Sequence, residues 1–407
     1  MVIRPFKALR STPDSAATVA SVPYDVVDTT EARRLAEGKP SSFLHVVRSE
    51  IDLPEGTDPY SDAVYEKAGE NLQMLISSGQ MVHEDEPSLY AYRMTVDGQA
   101  QVGLLAGCSI DEYESGLIKK HELTRRDKED DRTRHMLALG AQPGPVLVAY
   151  KDASAIDELL ARVVEAPPLL ACDSETGVRH EVWRIVDPDR VVAAFAKVPC
   201  AYIADGHHRS ASAARAREQL RSGNDQHTGR EEYNYFLSAL FPASQMKILA
   251  YNRVVTDLNG HSPDDVLKLA AERFEIAEAA SPVPGEARRF CIYLAGKWHE
   301  LVAKQKFVDG SDPVKSLDCS ILHEHFMEPI LGITDIRTDP RIKFVGGIRG
   351  TDALAAAVDK VGTGVAFSMH ATSIEQLMAI ADAGQIMPPK STWFEPKLRS
   401  GLVMHLI

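Results

Sequence analysis

Residues 201–216, Ala201-Tyr-Ile-Ala-Asp-Gly-His-His-Arg-Ser-Ala-Ser-Ala-Ala-Arg-Ala216, form the stretch from which the fold is best predicted. The first four residues are apolar and predict the end of a buried strand. From Ser210 the sequence is rich in alanine and predicts a helix that ends near Gly223. The segment between them, Asp205 to Arg209, is therefore predicted to be a strand-to-helix turn.

This turn has the chemistry of a phosphate site. Gly206 tolerates the backbone angles of a sharp turn and lets a ligand approach closely. The free N–H groups of a helix's first turn and the helix dipole favour an anion at that point. Arg209 can hold a phosphate with two parallel hydrogen bonds, and His207, His208 and Ser210 supply further donors. We therefore predict that the turn binds a phosphate.

Other interpretations of the turn remain. Asp205 is also a suitable N-cap residue, and a histidine is often structural. A metal site made of Asp205, His207 and His208 is a further alternative, because imidazole and carboxylate suit several divalent ions. We disfavour the metal because adjacent histidines at a helix start point apart and no third ligand stands nearby at metal-like spacing. The prediction is phosphate binding with no protein metal site.

The bulk composition narrows the class of protein. At 407 residues the chain predicts two domains, and its 44% hydrophobic and 25% charged residues are ordinary for a soluble globular protein. Lys and Arg number 45 against 58 Asp and Glu, a net charge of −13, which argues against a nucleic-acid partner. The five cysteines form no C-x-x-C pair, and neither a signal peptide nor a membrane span is evident. We expect a cytoplasmic protein that does not bind a membrane.

A second polar segment precedes the turn. The residues from Lys119 to Arg125 cluster before any helical period begins, which predicts a functional loop that opens a helix ending at Leu139. Gly140 would stop that helix, and residues 145–150 would return as a strand. Earlier in the chain, residues 42–48 also predict a strand, and Asp97-Gly98 predicts the turn of a β-hairpin.

The motifs resemble a known family. Asp205-Gly-His-His-Arg209 before an alanine-rich helix is similar to the phosphate-binding turn of the ParB/sulfiredoxin fold, in the form found in archaeal free L-serine kinases. Ile118-Lys-Lys-His-Glu122, the acidic helix and the strand that begins at Pro145 follow in the family's order. The whole chain resembles an uncharacterised prokaryotic family of about 400 residues described as SerK-like. It departs from the kinases by about fifty residues between strand and turn, which we interpret as an insertion around 151–198.

The expected fold class is α+β. The N-terminal domain would span residues 1–243, with a ParB/sulfiredoxin-like mixed α/β core at about 100–240 that carries insertions. A second α/β domain would span residues 244–407. Near its end, Pro388-Pro-Lys-Ser-Thr392 predicts a stiff loop that presents Lys390, Ser391 and Thr392 for donor binding.

The resemblance implies phosphoryl transfer to free L-serine, with Mg²⁺ as cofactor and ADP, ATP or pyrophosphate as donor. Glu122 falls on the family's catalytic glutamate and is the predicted base, with Asp205 and Asp25 as alternatives. His207 and Asp205 complete the predicted catalytic residues, and the candidates for substrate binding are Tyr24, Asp25, His121 and Thr124.

Two other functions were compared with this one. A nucleotide-binding regulator of the ParB-like type would use the same turn without transfer. A sulfiredoxin-like reductase would need a cysteine where His207 or His208 stands. The expected partner is a free amino acid, and the sequence leaves open a homodimer.

Overall fold

The computed structural model describes residues 1–407. The chain divides into two compact units, which we describe separately. Unit 1 comprises residues 1–246 and 396–407, and unit 2 comprises residues 247–395. Both units combine helices with largely antiparallel sheets, so the α+β class expected from the sequence holds at that level. None of the helices combines the length and apolar character that crossing a bilayer requires.

Unit 1 is built on a nine-stranded sheet with the order β6-β11-β8-β12-β5-β4-β10-β9, and β1 pairs with β5. The strands of unit 1 within residues 1–246 are β1 (Ile3–Arg4), β2 (Ala8–Ser11), β3 (Met81–His83), β4 (Tyr90–Val96), β5 (Gln99–Ser109), β6 (Ile118–Lys119), β7 (Ala141–Gln142), β8 (Val146–Tyr150), β9 (Leu170–Asp173), β10 (Arg179–Arg184), β11 (Ala201–Asp205) and β12 (Tyr235–Pro242).

The helices of unit 1 are α1 (Ala16–Val19), α2 (Thr29–Ala36), α3 (Leu44–Val47), α4 (Asp62–Ser77), α5 (Ile110–Glu114), α6 (Arg126–Leu139), α7 (Ser154–Val163), α8 (Pro188–Phe195) and α9 (His207–Ser222). The buried strand β8 lies inside the sheet between β11 and β12, and Val146, Val148 and Tyr150 join a buried cluster with side chains of α7 and α8. Burial on both faces explains why this strand lacks polar alternation.

The strand predicted for residues 42–48 is wrong, because Leu44–Val47 form α3. Val47 N–H donates to the carbonyl of Phe43 at 3.0 Å, and both side chains pack in a cluster that includes Leu72 and Leu75 of α4. Short apolar runs that are buried on all sides have no periodicity to separate a helix from a strand. Tertiary packing therefore decided this segment.

Unit 2 contains a six-stranded sheet with the order β15-β17-β16-β19-β14-β18 and a separate pair, β13-β20. These strands are β13 (Lys247–Leu249), β14 (Tyr251–Val255), β15 (Phe274–Glu278), β16 (Arg289–Leu294), β17 (Lys297–Ala303), β18 (Ile342–Gly346), β19 (Val365–Met369) and β20 (Trp393–Glu395). The helices are α10 (Pro263–Ala270), α11 (Asp318–Leu322), α12 (Glu328–Leu331), α13 (Gly350–Val361) and α14 (Ile374–Asp382).

The last twelve residues belong to unit 1, although the sequence placed them in the C-terminal domain. They contain β21 (Val403–Leu406), which pairs with β2 and β7 in a four-stranded sheet of order β3-β2-β21-β7. Backbone pairing between distant strands leaves no local sequence signal. This return of the chain brings Lys397 into unit 1.

Candidate functional site

The predicted strand-to-helix turn is present. Strand β11 lies between β6, to which it is parallel, and β8, to which it is antiparallel. Gly206 follows it with a φ of +100°, and α9 begins at His207. A Cβ atom at position 206 would lie 3.0 Å from the guanidinium carbon of Arg209. The turn therefore needs glycine both for its backbone angle and for the side chain packed against it.

The N-terminus of α9 carries no side-chain cap. In a helix the first-turn N–H groups, here those of His207, His208 and Arg209, have no intrahelical acceptor, and the helix dipole adds positive potential. Helix α9 has 16 residues, so it is long enough for its dipole to act at the N-terminus. Ser210 is completely buried and its hydroxyl donates to the His207 carbonyl at 3.0 Å, so that hydroxyl is engaged within the helix. The backbone amides are therefore the donors with which the turn can meet an anion.

A second loop reaches the turn because β6 and β11 run parallel, so both strands end at the same edge of the sheet. The loop after β6 carries His121 and Glu122. The His121 and His207 rings meet edge to face with centroids 4.4 Å apart. Glu122 Oε2 lies 3.9 Å from His207 Nδ1, and its side chain is 42% exposed. The structure thus brings together three residues that the sequence analysis named in separate motifs.

The hydrogen bonds determine which nitrogen of His207 carries the proton. The backbone N–H of His121 lies 3.5 Å from His207 Nε2, and a backbone N–H can only donate. Nε2 is therefore the acceptor, and Nδ1 bears the hydrogen that faces Glu122. Burial lowers the pKa of His207 well below its ordinary value and lowers the pKa of His121 to about 4. Both imidazoles are neutral at pH 7.

His208 contacts the loop that precedes α6. Its Nε2 accepts from the backbone N–H of Arg125 at 3.1 Å, and burial lowers its pKa. Arg125 is the residue before α6, so this bond ties the start of α6 to the turn. Thr124, predicted to bind substrate, donates its hydroxyl to Glu129 of α6. We conclude that these two contacts hold the loop in place beside α9.

His121, Glu122 and His207 could together hold a metal ion, since one ligand atom from each lies within 4.8 Å of the others. His121 Nδ1 is buried and has no hydrogen-bond partner. Two imidazoles and one carboxylate suit transition metals better than Mg²⁺, which prefers oxygen ligands. The sequence could not indicate this set, because His121 and His207 are 86 residues apart.

Asp205 sits in a network of opposite charges. Its Oδ2 accepts from Lys397 Nζ at 2.9 Å, and its Oδ1 lies 3.8 Å from Arg209 Nη2. Burial by itself raises the pKa of Asp205, but Lys397 and Arg209 together hold it well below its ordinary value. Asp205 is thus a carboxylate at neutral pH. Lys397 was missed by the sequence analysis, which had no signal linking residues 192 apart.

Arg209 is 8% exposed and is held mainly by the protein. Its Nη1 donates to the Pro145 carbonyl, and its Nη2 also lies 3.9 Å from Asp25 Oδ2. Nε has no hydrogen-bond partner, and the carboxylate oxygens near Nη2 lie beyond hydrogen-bonding distance. The contact with Pro145 positions the turn, and the bidentate grip of Arg209 on phosphate stays a prediction.

Tyr24 is partly buried and packs against Arg132. The guanidinium carbon of Arg132 is 4.2 Å from its ring centroid, and burial raises the pKa of the Tyr24 phenol. Tyr24 and Arg209 line a cavity of about 20 Å³, which is room for about one water molecule. This cavity is too small for an amino acid, and the predicted part of Tyr24 in substrate binding stays a prediction.

The predicted loop residues Lys390, Ser391 and Thr392 belong to unit 2. Lys390 Nζ lies 5.4 Å from the ring centroid of Tyr251. The hydroxyl of Ser391 donates to the Pro388 carbonyl at 2.7 Å and contacts Cys319 Sγ at 3.1 Å. Their predicted part in donor binding stays a prediction.

Comparisons with known proteins give a family and distant structural neighbours. A family model described as "Protein of unknown function (DUF1015)" matches residues 3–320. None of the curated proteins matches the chain.

Three solved structures illustrate the structural likeness. SbnI with C-terminal truncation from Staphylococcus aureus is 12% identical with a TM-score of 0.40, covering 74% of this chain and 87% of that chain. A conserved hypothetical protein from Pyrococcus furiosus is 15% identical with a TM-score of 0.35, covering 74% and 95%. A free serine kinase in complex with AMP is 13% identical with a TM-score of 0.34, covering 73% and 92%. These values are too low to carry an inference about function.

Proposed function

We propose that this chain, which belongs to the DUF1015 family, transfers a phosphoryl group to the hydroxyl of a small molecule. Free L-serine is the acceptor that the motif resemblance favours, and the core of unit 1 would be of the ParB/sulfiredoxin type. The proposal rests on the site in unit 1 and on the order of its motifs.

One observation carries the proposal. An accessible carboxylate, Glu122, lies beside the uncapped N-terminus of α9, with the neutral His207 directing its Nδ1–H toward it. Phosphoryl transfer needs mainly an anion cradle and a group that orients and deprotonates the nucleophile. Here the helix amides supply the cradle, and Glu122 is the group next to it.

In the proposed reaction each residue has one role. The amides of residues 207–209 bind the terminal phosphate of the donor. Glu122 accepts the proton of the acceptor hydroxyl. At the same time, the oxygen of that hydroxyl forms a bond to the terminal phosphorus. The bond from that phosphorus to the bridging oxygen breaks, and the electron pair leaves with the shortened donor. His207 orients the Glu122 carboxylate, and the Lys397–Asp205 pair holds the turn.

Mg²⁺ fits this site as a companion of the donor. It binds through one or two carboxylates together with phosphate oxygens. Asp25 has a side chain 36% exposed beside the turn and would offer Mg²⁺ a carboxylate oxygen, since Glu122 serves as the base. When bound, Mg²⁺ would neutralise charge on the transferring phosphate.

The test is product analysis with the full chain. L-serine, Mg²⁺ and one of ADP, ATP or pyrophosphate are incubated with the protein, and O-phosphoserine is measured by ³¹P NMR and mass spectrometry. Phosphoserine formed with at least one donor and lost in Glu122→Gln supports the proposal. Donor binding by calorimetry without product from serine or from other small hydroxyl compounds would overturn it and favour a nucleotide-binding regulator.

A further inference from the structure

Arg253 in unit 2 is a buried cation. It lies on β14, between β18 and β19, and is 2% exposed. Its Nη1 donates to the Tyr251 carbonyl at 2.8 Å, and its guanidinium carbon lies 5.6 Å from the Phe344 ring centroid. Its Nη2 has no hydrogen-bond partner. An ionised group buried in this way is costly unless an anion compensates for it.

No carboxylate is among the groups that act on Arg253. Burial is the main influence and lowers the pKa of the guanidinium, and the acidic groups that counter it are the Cys319 thiol and the Tyr251 phenol. Arg341 in the same unit is the contrast, since it pairs with Asp339 at 2.8 Å and Asp257 at 3.3 Å. In unit 2, Arg341 is therefore neutralised by carboxylates, and the more deeply buried Arg253 is not.

Other polar groups surround Arg253. The Cys319 thiol contacts it and lies 3.1 Å from the Ser391 hydroxyl. Ser391 is in the loop before β20, where Thr372 also donates to its carbonyl at 3.0 Å. The preceding residue, Lys390, is exposed, holds a φ of +58° and places its ammonium over Tyr251. A non-glycine residue in that backbone region is strained, and such strain is common where a loop serves a ligand.

We propose that Arg253, Cys319 and Ser391 form an oxyanion-binding site within unit 2. The ligand group is a phosphate or a carboxylate of a small molecule, since the unpartnered Nη2 of the guanidinium can donate to an oxygen of either one. When the Ser391 hydroxyl turns from the Pro388 carbonyl to the ligand, it and the Cys319 thiol donate to the same group, and Lys390 attracts that group at the loop. This site is independent of the function proposed for unit 1.

The first experiment uses Cys319 as a local reporter. Iodoacetamide alkylates the full chain in chloride, phosphate or acetate at one ionic strength, and peptide mass spectrometry follows Cys319 and the half-buried Cys200. Bound oxyanion should slow the alkylation of Cys319 by the factor 1 + [anion]/Kd and leave Cys200 unchanged. Phosphate and acetate, tested separately, identify the preferred group. Equal rates in all three salts, or equal protection in Arg253→Met, would overturn the proposal.

Thermal unfolding is the second measurement, and it tests for bound oxyanion even if Cys319 is too buried to react with iodoacetamide. A ligand that binds only the folded state raises Tm with concentration. Arg253→Met should melt no lower than the wild type in chloride, because it removes an uncompensated buried charge. Its Tm should rise less with the preferred anion than that of the wild type. Arg341→Met is the matched control, which should melt lower and keep the full anion response. A full response in Arg253→Met contradicts the site.

Discussion

The two units each contain a buried arginine, and their surroundings differ. Arg209 in unit 1 is 8% exposed, donates to a backbone carbonyl and lies within 4 Å of two carboxylates, Asp25 and Asp205. Arg253 in unit 2 is 2% exposed, also donates to a carbonyl, and has no carboxylate acting on it. The same side chain thus lies near two carboxylates in one unit and has no carboxylate acting on it in the other.

This difference teaches that a buried arginine does not by itself mark an anion site. Charges that are already neutralised serve to hold a turn, as Arg209 does at Gly206. In unit 1 the groups that we propose to meet a ligand are the backbone amides of α9 and the half-exposed Glu122. The following predictions test which residues hold the turn and which ones act in the proposed reaction.

The largest effect is expected from Glu122→Gln, which should lower the transfer rate by about 10²–10⁴-fold while donor affinity stays nearly constant, because glutamine cannot accept the proton. Steady-state kinetics and calorimetry measure the two quantities. Asp127→Asn is the matched control, since Asp127 lies in the same region but pairs with Arg125 at the surface at 2.8 Å. Equal activity of Glu122→Gln and wild type would move the base to Asp25 or Asp205.

A pH effect should follow from the buried His121. Its pKa is lowered from 6.5 to about 4 by burial, so the unfolded chain takes up the proton first as the pH falls. Stability is then lost between about pH 6.5 and 4, at about 1.4 kcal/mol per pH unit for one histidine. His121→Gln should remove that contribution from the slope measured by urea unfolding. The exposed His83 is the control, and an unchanged slope in His121→Gln would show that His121 is not buried as a neutral ring.

Asp205→Asn should lower the stability of unit 1 at pH 7 by about 1.5–3 kcal/mol, because Lys397 and Arg209 lose a charged partner. The pKa of Asp205 is held low in the folded state, so its stabilising contribution is full above the ordinary aspartate value and is lost as the pH falls through the lowered one. The difference between wild type and variant should therefore shrink in acid. A constant difference would argue that the loss comes from packing alone.

Gly206→Ala should destabilise the turn by about 1–3 kcal/mol, because the φ of +100° is strained for alanine and its Cβ would meet the Arg209 guanidinium. The control is Gly116→Ala, where φ is +79° and no atom lies within 4 Å of the added carbon. Chemical denaturation should show the larger loss at position 206. Equal losses at both sites would mean that Arg209 moves away freely.

The smallest effect is expected from Lys390→Gly in unit 2. Glycine accepts the φ of +58° without strain, so the substitution should raise the free energy of unfolding by about 0.5–1 kcal/mol. Loss of the contact between the Lys390 ammonium and the Tyr251 ring reduces this gain. Tm of the full chain measures it. Asp97→Gly, with φ of +51° in the hairpin turn of unit 1, is the corresponding control. A marked loss at position 390 alone would indicate that the lysine side chain stabilises the loop.

Local sequence signals predicted several elements correctly. Strand β11, the glycine turn and α9 follow from an apolar run, a residue free to adopt positive φ and an alanine-rich segment. The hairpin of β4 and β5 follows from Asp97-Gly98, whose φ angles are +51° and +74°. The resemblance to an uncharacterised family is confirmed by the match over residues 3–320. These features depend on neighbouring residues only, and neighbours are visible in the sequence.

Other features depended on tertiary structure. The pairing of His121 with His207 spans 86 residues and that of Lys397 with Asp205 spans 192. The assignment of α3, whose Leu44, Val46 and Val47 are buried, and the return of residues 396–407 to unit 1 likewise needed the packed chain. The sequence alone determined the glycine turn that presents the helix amides of α9 and supplied the candidate residues around it. Only the folded chain decided which charges meet, because counter-ions and parallel strand ends are brought together by packing between segments distant in sequence.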